Sequence, residues 1–213
     1  MRTLYLHGFG SGPRSKKGLA FDAHFAARGV TLQRLDLRVP SFEHLRLSAM
    51  IEATGAAIGG PGDRAVVIGS SLGGLTAARL AERDPRVRAL VLLAPAFQLA
   101  RRWRESLGDD FEVWRRTGWR EVTDYTTGGT ARVDFGFLED VERVDVGLPA
   151  VTVPTLILHG RADDVVPIDR SRELAAGCPH VRLVELDDGH ELVASLPVLL
   201  AETDRFLDAL PPP

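Results

Sequence analysis

The sequence predicts an α/β protein built on a mostly parallel sheet of roughly six strands, with helices on both faces. Short runs rich in Val, Ile and Leu alternate with helical patterns along most of the 213 residues, which is the order of successive strand–helix–strand units. Several of these runs are almost continuously apolar, as expected for strands buried on both faces of a parallel sheet. The sequence therefore favours an α/β fold over an all-β or all-helical one.

The patterns assign six strands and five helices to the sheet and its two helical layers. The predicted strands are residues 3–7, 31–36, 65–68, 89–93, 155–159 and 182–186. The predicted helices are residues 17–28, 41–58, 74–83, 168–176 and 197–210. Ser41 is a suitable N-cap and Pro197 suits a first helical turn. The three prolines at 211–213 are predicted to be a tail, and residues 1–213 are expected to form a single domain.

Residues 97–149 interrupt the alternation of strands and helices. Helical segments at 100–106 and 111–116 are followed by two strand-like runs, 122–126 and 130–135, which flank a Gly-Gly pair typical of a hairpin. Val133, Phe135 and Phe137 alternate as on a one-sided strand. The segment is rich in aromatic residues, and we predict a cap or lid over an apolar substrate pocket; the alternative is a local core of its own. The candidate pocket residues are Trp103, Trp114, Trp119 and Phe137.

Composition excludes several classes of function. The chain is 45% hydrophobic and 26% charged with a formal net charge of −3, which gives no electrostatic basis for binding nucleic acid or an anionic membrane. The N-terminus shows no signal-peptide pattern, and no apolar run reaches the length of a membrane span. Cys178 is the only cysteine, so we expect a packing residue in a reducing, cytoplasmic environment. We expect no metal and no organic cofactor, because no zinc-type cluster or phosphate-binding glycine loop is present.

The segment Gly69-Ser70-Ser71-Leu72-Gly73 joins a predicted strand to a predicted helix. A serine hydroxyl becomes a useful nucleophile when a sharp strand-to-helix turn exposes it to a base, and such a turn needs glycine on both sides. The start of the following helix also directs free N–H groups towards a developing oxyanion. Ser71, which has glycines two positions before and after it, is the predicted nucleophile. Ser70 lacks this frame.

An acid and a base follow later in the chain, each after a predicted strand. Asp163 and Asp164 lie in the loop after strand 155–159, and from position alone either could be the acid. His190 is the only histidine after the last predicted strand. The chain order Ser, Asp, His at the carboxyl ends of strands is that of a hydrolase triad, so we predict His190 as the general base.

Four segments of the sequence carry a family resemblance; they are Leu6-His7-Gly8-Phe9-Gly10-Ser11, the Ser71 segment, His159-Gly160-Arg161-Ala162-Asp163 and Gly189-His190. Through these segments the chain resembles the α/β-hydrolase superfamily over nearly its whole length. The resemblance implies that Asp163 is the acid, that Phe9 and Leu72 supply the two oxyanion-hole N–H groups, and that His7 supports that loop. Within the superfamily the chain is similar to the small bacterial YqiA-like esterases.

These expectations combine into a serine hydrolase that cleaves a small to medium carboxylic ester or thioester through Ser71, His190 and Asp163. Thioesterase, acyltransferase and C–C hydrolase activities share the same machinery and stay open. The alternative from another class is a catalytically silent hydrolase fold that binds a ligand or partner. The expected partner is a small-molecule acyl substrate, and the sequence carries no information on oligomeric state.

Overall fold

A computed structural model describes residues 1–211; of the predicted proline tail, residues 212 and 213 lie outside the described part. Six strands form one sheet; they are β1 (Arg2–Leu6), β2 (Leu32–Leu35), β3 (Ala65–Ser70), β4 (Val87–Leu93), β7 (Thr155–Gly160) and β8 (Val181–Leu186). Their order across the sheet is β2-β1-β3-β4-β7-β8, and every neighbouring pair is parallel. The predicted α/β class and the number of parallel strands are confirmed.

Helices cover both faces of this sheet. Residues 97–149 are called the insert below. The helices outside the insert are α1 (Lys16–Ala26), α2 (Leu47–Ile58), α3 (Leu72–Ala81), α7 (Asp169–Gly177) and α8 (Leu196–Asp208). Side chains of alternate strand residues enter two separate apolar cores, as the two-residue period of a strand requires. On β3, for example, Val67 packs in the core that includes α2 and α3, whereas Ile68 packs in the core that includes α1 and α8. No helix within residues 1–211 is long and apolar enough to cross a membrane.

Residues 97–149 contain three helices and a hairpin. They are α4 (Leu99–Leu107), α5 (Asp109–Thr117), the antiparallel strands β5 (Trp119–Asp124) and β6 (Gly129–Asp134), and α6 (Gly136–Val144). The predicted hairpin is therefore confirmed. Phe137, however, lies in the first turn of α6 and not on a strand. Strand β6 ends before Phe135, so the alternation of Val133, Phe135 and Phe137 in the sequence does not correspond to one continuous strand. The role of this segment as a lid stays a prediction.

Helix α2 begins six residues later than predicted. The Ser41 hydroxyl accepts a hydrogen bond from the N–H of His44 at 3.2 Å. This bond stabilises a single turn that precedes the helix and does not cap the helix itself. The helix starts at Leu47, and its free Ser48 N–H donates to Asp140 of α6 at 2.8 Å. The carboxylate that satisfies this end therefore comes from a distant part of the chain, where local sequence could not reveal it.

Candidate active site

Ser71 lies on a strained turn between β3 and α3. Its φ of 52° and ψ of −114° are unusual for a residue with a side chain. A Cβ on Gly69 would lie 2.3 Å from Gly73 O, and one on Gly73 would lie 2.3 Å from Leu6 O. Both glycines are therefore required by close backbone approach, and the turn projects the Ser71 hydroxyl at the carboxyl edge of the sheet, as the sequence predicts.

The structure brings Ser71, His190 and Asp163 into one hydrogen-bonded relay. The Ser71 Oγ lies 3.1 Å from His190 Nε2, and His190 Nδ1 lies 2.8 Å from Asp163 Oδ2. With the proton on Nδ1, His190 donates to the carboxylate and its Nε2 can accept the serine proton. The three residues follow β3, β7 and β8, whose carboxyl ends meet at one edge because the strands are parallel.

The Asp163 carboxylate is buried and fixed from both sides. Oδ1 accepts the N–H of Val165 at 3.0 Å and the N–H of Val166 at 2.7 Å, while buried His159 Nε2 lies 3.2 Å from Oδ2. Burial raises the pKa of Asp163, but the hydrogen bonds from His159, His190 and Val166 outweigh burial and hold the pKa well below its usual range. Asp163 is therefore ionised at neutral pH, and its charge can stabilise an imidazolium at His190.

The other carboxylates near the site have different partners. Asp164 is exposed. Asp187 is paired with Arg161 at the surface. Asp188 accepts the N–H of Ser195 at 2.9 Å and so closes the loop that carries His190. Of these aspartates, Asp163 is the one whose carboxylate contacts His190, which is the choice that the family resemblance implies.

Two groups that the resemblance implies for the oxyanion hole lie beside Ser71. A Cβ on Gly8 would lie only 3.3 Å from the Ser71 Cβ, so the loop after β1 passes directly alongside the serine. Within residues 1–211, the turn and loop hydrogen bonds use neither the N–H of Phe9, which follows Gly8, nor that of Leu72, the first residue of α3. These donors are free to bind an oxyanion.

His7 supports this loop from below. Its Nδ1 donates to Gly8 O at 2.9 Å, and its Nε2 accepts the N–H of Leu37 at 3.0 Å. Burial lowers the pKa of His7 below its usual value, which favours this neutral tautomer. The geometry fits the supporting role that the resemblance implies and leaves no ring nitrogen for Ser71.

The predicted pocket aromatics occupy three different environments. Trp103 and Phe137 pack on the oxyanion-loop residue Phe9, with ring centroids 5.1 Å and 5.8 Å from it. Trp114 is buried within the insert and donates its indole N–H to Val133 O at 3.1 Å. Trp119 packs against His44 at the outer side of the hairpin. Trp103 and Phe137 are thus beside the site, and Trp114 and Trp119 are not.

A cavity of about 10 Å³ adjoins the oxyanion loop. Its apolar lining comes from the loop itself, from the segment between β2 and α2, from α2 and from α3; these residues are Phe9, Leu37, Phe42, Leu45, Met50 and Leu72. None of the four predicted pocket aromatics lines this cavity. The volume is close to that of one water molecule, so an acyl group could enter this cavity only if it is short or if the lining side chains move.

Two contributors to the site were missed by sequence reasoning. The Lys17 ammonium of α1 donates to the carbonyl of Glu191 at 2.7 Å and so fixes the His190 loop. His159 is fully buried, hydrogen-bonds Ser171 and Val166, and holds the Asp163 loop against α7. His159 belongs to one of the segments that carry the family resemblance, but the sequence indicates no partner for it. Cys178 lies at the end of α7 and packs against the core, as predicted.

Residues 2–199 match the model of an uncharacterised protein family, UPF0227. Among solved structures, the mouse alpha/beta hydrolase domain-containing protein 10 is 21% identical with a TM-score of 0.80, covering 98% of this chain and 90% of that chain. Est1E from Butyrivibrio proteoclasticus, solved with ferulic acid bound, is 18% identical with a TM-score of 0.76, covering 96% and 87%. The esterase domain of a Rhodothermus marinus protein is 22% identical with a TM-score of 0.64, covering 96% and 86%. These likenesses establish the α/β-hydrolase fold.

Proposed function

The chain belongs to the uncharacterised protein family UPF0227, and we propose that it is a serine hydrolase that cleaves a small to medium carboxylic ester or thioester. The observation that carries the proposal is the continuous relay from Ser71 through His190 to Asp163 beside two free backbone N–H groups. An esterase domain and Est1E among the structures of the same fold support the same class of reaction.

In the first half of the reaction the Ser71 Oγ attacks the carbonyl carbon of the substrate. The serine proton passes to His190 Nε2, and the negative charge that develops on the carbonyl oxygen is bound by the N–H groups of Phe9 and Leu72. The tetrahedral intermediate then collapses. The bond to the alcohol or thiol breaks, His190 returns the proton to that leaving group, and the acyl group stays on Ser71.

In the second half a water molecule replaces the leaving group. His190 takes a proton from the water, whose oxygen attacks the acyl carbon, and the N–H groups bind the oxyanion again. Collapse breaks the bond to Ser71, which regains the proton from His190, and a carboxylic acid leaves. The buried charge of Asp163 stabilises the imidazolium during both halves.

Labelling and hydrolysis by serine variants test the proposal. We expect a fluorophosphonate probe to label the protein at Ser71, and 4-nitrophenyl esters to be hydrolysed. Ser71→Ala should lose both, by about 10,000-fold or more in kcat, because the attacking oxygen is gone. Ser70→Ala is the matched control, since this neighbour is buried and the hydroxyl that hydrogen-bonds His190 is that of Ser71, and it should keep both.

Two results would contradict the proposal. Labelling that persists in Ser71→Ala but is lost in Ser70→Ala would move the nucleophile by one residue. No labelling and no turnover of any ester or thioester by folded wild-type protein would favour the binding-module alternative.

A further inference from the structure

Helix α4 contacts both the oxyanion loop after β1 and the loop that carries Asp163. It begins three residues after Ala96, whose N–H donates to the Ser71 carbonyl at 3.1 Å. Trp103 on this helix contacts Phe9 of the oxyanion loop. The preceding residue, Arg102, points about 100° away around the helix and donates to Val165 O in the Asp163 loop at 2.7 Å.

Arg102 is a partly buried cation without a direct ion pair. Its Nε has no hydrogen-bond partner although it is inaccessible to solvent. Asp163 and Asp145 act on its charge only from a distance, because no carboxylate within residues 1–211 lies within 4 Å of the guanidinium. Burial lowers the pKa of Arg102 below its ordinary value, yet an arginine stays charged at neutral pH. A desolvated charge of this kind is costly unless a counter-charge meets it.

A second such cation packs over the ring of Trp103. Arg120 of β5 is placed over the rings of Trp103 and Trp114, 5.9 Å from each centroid, and it too lacks an ion pair in the described chain. Burial also lowers the pKa of Arg120. Other arginines of the insert are paired with carboxylates; they are Arg101, Arg104, Arg115, Arg132 and Arg143. Of the remaining three, Arg116 is exposed, so Arg102 and Arg120 alone combine partial burial with the lack of a direct ion pair in this part of the structure.

We propose that Arg102, with Arg120 packed over the neighbouring Trp103, forms an anion-recognition site, so that the preferred substrate is an ester or thioester that carries a carboxylate. This inference rests on the proposed function and adds the chemical class of the substrate. A guanidinium N–H donates a charge-assisted hydrogen bond to a carboxylate, and the Nη2 of Arg102, which has no partner within residues 1–211 and, unlike Nε, is reached by solvent, is the donor that a substrate carboxylate would meet. The carboxylate can belong to the acyl part or to the leaving group.

Matched pairs of anionic and neutral esters test the inference. In the acyl arm, the 4-nitrophenyl monoester of adipic acid is compared with its methyl-capped diester. In the leaving-group arm, the butyrate ester of 4-hydroxybenzoate is compared with that of methyl 4-hydroxybenzoate. The measured quantity is the ratio of kcat/KM for the anionic member over the neutral member. We expect the wild-type ratio to exceed one in one arm by about tenfold, and the arm identifies where the carboxylate lies.

Variants assign this preference to the arginines. Arg102→Met should lower the ratio by about tenfold, Arg102→Lys should restore part of it because the charge returns, and Arg120→Met should lower it by less. Arg116→Met is the control and should leave the ratio unchanged. The ratio cancels any general loss from the broken contact to Val165 or from misfolded protein.

The inference is overturned by a wild-type ratio at or below one in both arms, or by an unchanged ratio in Arg102→Met. Either result would leave neutral ester turnover, and with it the proposed hydrolase function, intact. Absence of turnover for all four esters together with absence of fluorophosphonate labelling would instead remove the proposed function and this inference with it.

Discussion

Adjacent residues with the same chemistry, Asp163 and Asp164, have opposite surroundings. The side chain of Asp163 is fully buried and holds His190, whereas Asp164 is exposed. The backbone of this loop explains the difference. The N–H groups of Val165 and Val166 turn towards Asp163 Oδ1, which fixes the carboxylate two and three residues before them, and only one of two consecutive side chains can point into the loop.

Amide variants distinguish the two aspartates. Asp163→Asn should lower kcat by about 10,000-fold, the loss that the corresponding change causes in serine proteases, because an amide cannot stabilise the imidazolium and permits the wrong tautomer at His190. Asp164→Asn is the matched control and should change kcat by less than about twofold, since surface substitutions are usually small in effect. The measurement is hydrolysis of a 4-nitrophenyl ester at constant pH.

Equal losses, or a larger loss in Asp164→Asn, would mean that the loop is assigned one residue out of register. Full activity in both would point to Asp187 or Asp188 as the acid.

The residues whose role depends on local sequence or on chain order can be predicted without a structure. Ser71 was identified by its glycine frame and His190 by chain order, and the structure places both at the same sheet edge. Lys17 and His159 were not found, because their contacts with Glu191 and Asp163 depend on how separate elements pack. No property of a lysine in a first helical turn predicts which distant carbonyl it meets.

Among the elements, the β5–β6 hairpin shows how the insert is fixed to the sheet. The Asp124 carboxylate binds Arg38 at 2.7 Å and the Thr126 N–H at 2.9 Å, and the Tyr125 N–H donates to Gly10 O at 2.8 Å. The hairpin therefore lies on the oxyanion loop. Sequence indicated the hairpin from its turn residues, but its docking position depends on an ion pair between residues 86 positions apart.

The ion pair at Asp124 predicts a pH-dependent stability. Burial raises the pKa of Asp124, but hydrogen bonds from Thr126 and Arg38 outweigh burial and lower the pKa from 3.8 to about 2. A carboxyl whose folded pKa is depressed stabilises the fold above its unfolded pKa, and this stabilisation is lost as the pH falls towards the folded value. We therefore expect Asp124→Asn to lower the free energy of unfolding by about 1–3 kcal/mol at pH 7, with a difference that narrows below about pH 4.

Urea unfolding of wild type and variant between pH 7 and pH 3 measures this difference. Glu121→Gln, an exposed change on the same strand, should alter the unfolding free energy by less than about 0.5 kcal/mol throughout. A difference for Asp124→Asn that stays constant to pH 3, or no difference at pH 7, would show that the carboxylate does not contribute through its charge.

At the scale of the whole molecule, the insert is anchored to the rest of the fold by four of its carboxylates. Asp124, Asp134, Asp140 and Asp145 bind Arg38, Arg46, Ser48 and Arg79, respectively. The Arg79–Asp145 pair is almost fully buried, where loss of one partner leaves an uncompensated charge. These pairs fix the position of the insert, and Trp114 is buried within the insert and does not line the cavity at the oxyanion loop.

The location of the cavity predicts which residues set the preference for acyl chain length. Phe42 lines the cavity and is only partly buried, so Phe42→Ala should admit longer acyl chains; each additional buried CH₂ contributes about 0.8 kcal/mol, or about fourfold in kcat/KM. Trp114→Phe should lower stability through the lost hydrogen bond to Val133 but change kcat/KM for all chain lengths by the same factor. A series of 4-nitrophenyl esters from acetate to octanoate measures both profiles. If the preference shifts in Trp114→Phe and not in Phe42→Ala, the acyl pocket lies under the insert, as the sequence alone predicts, and the cavity at the oxyanion loop has another use.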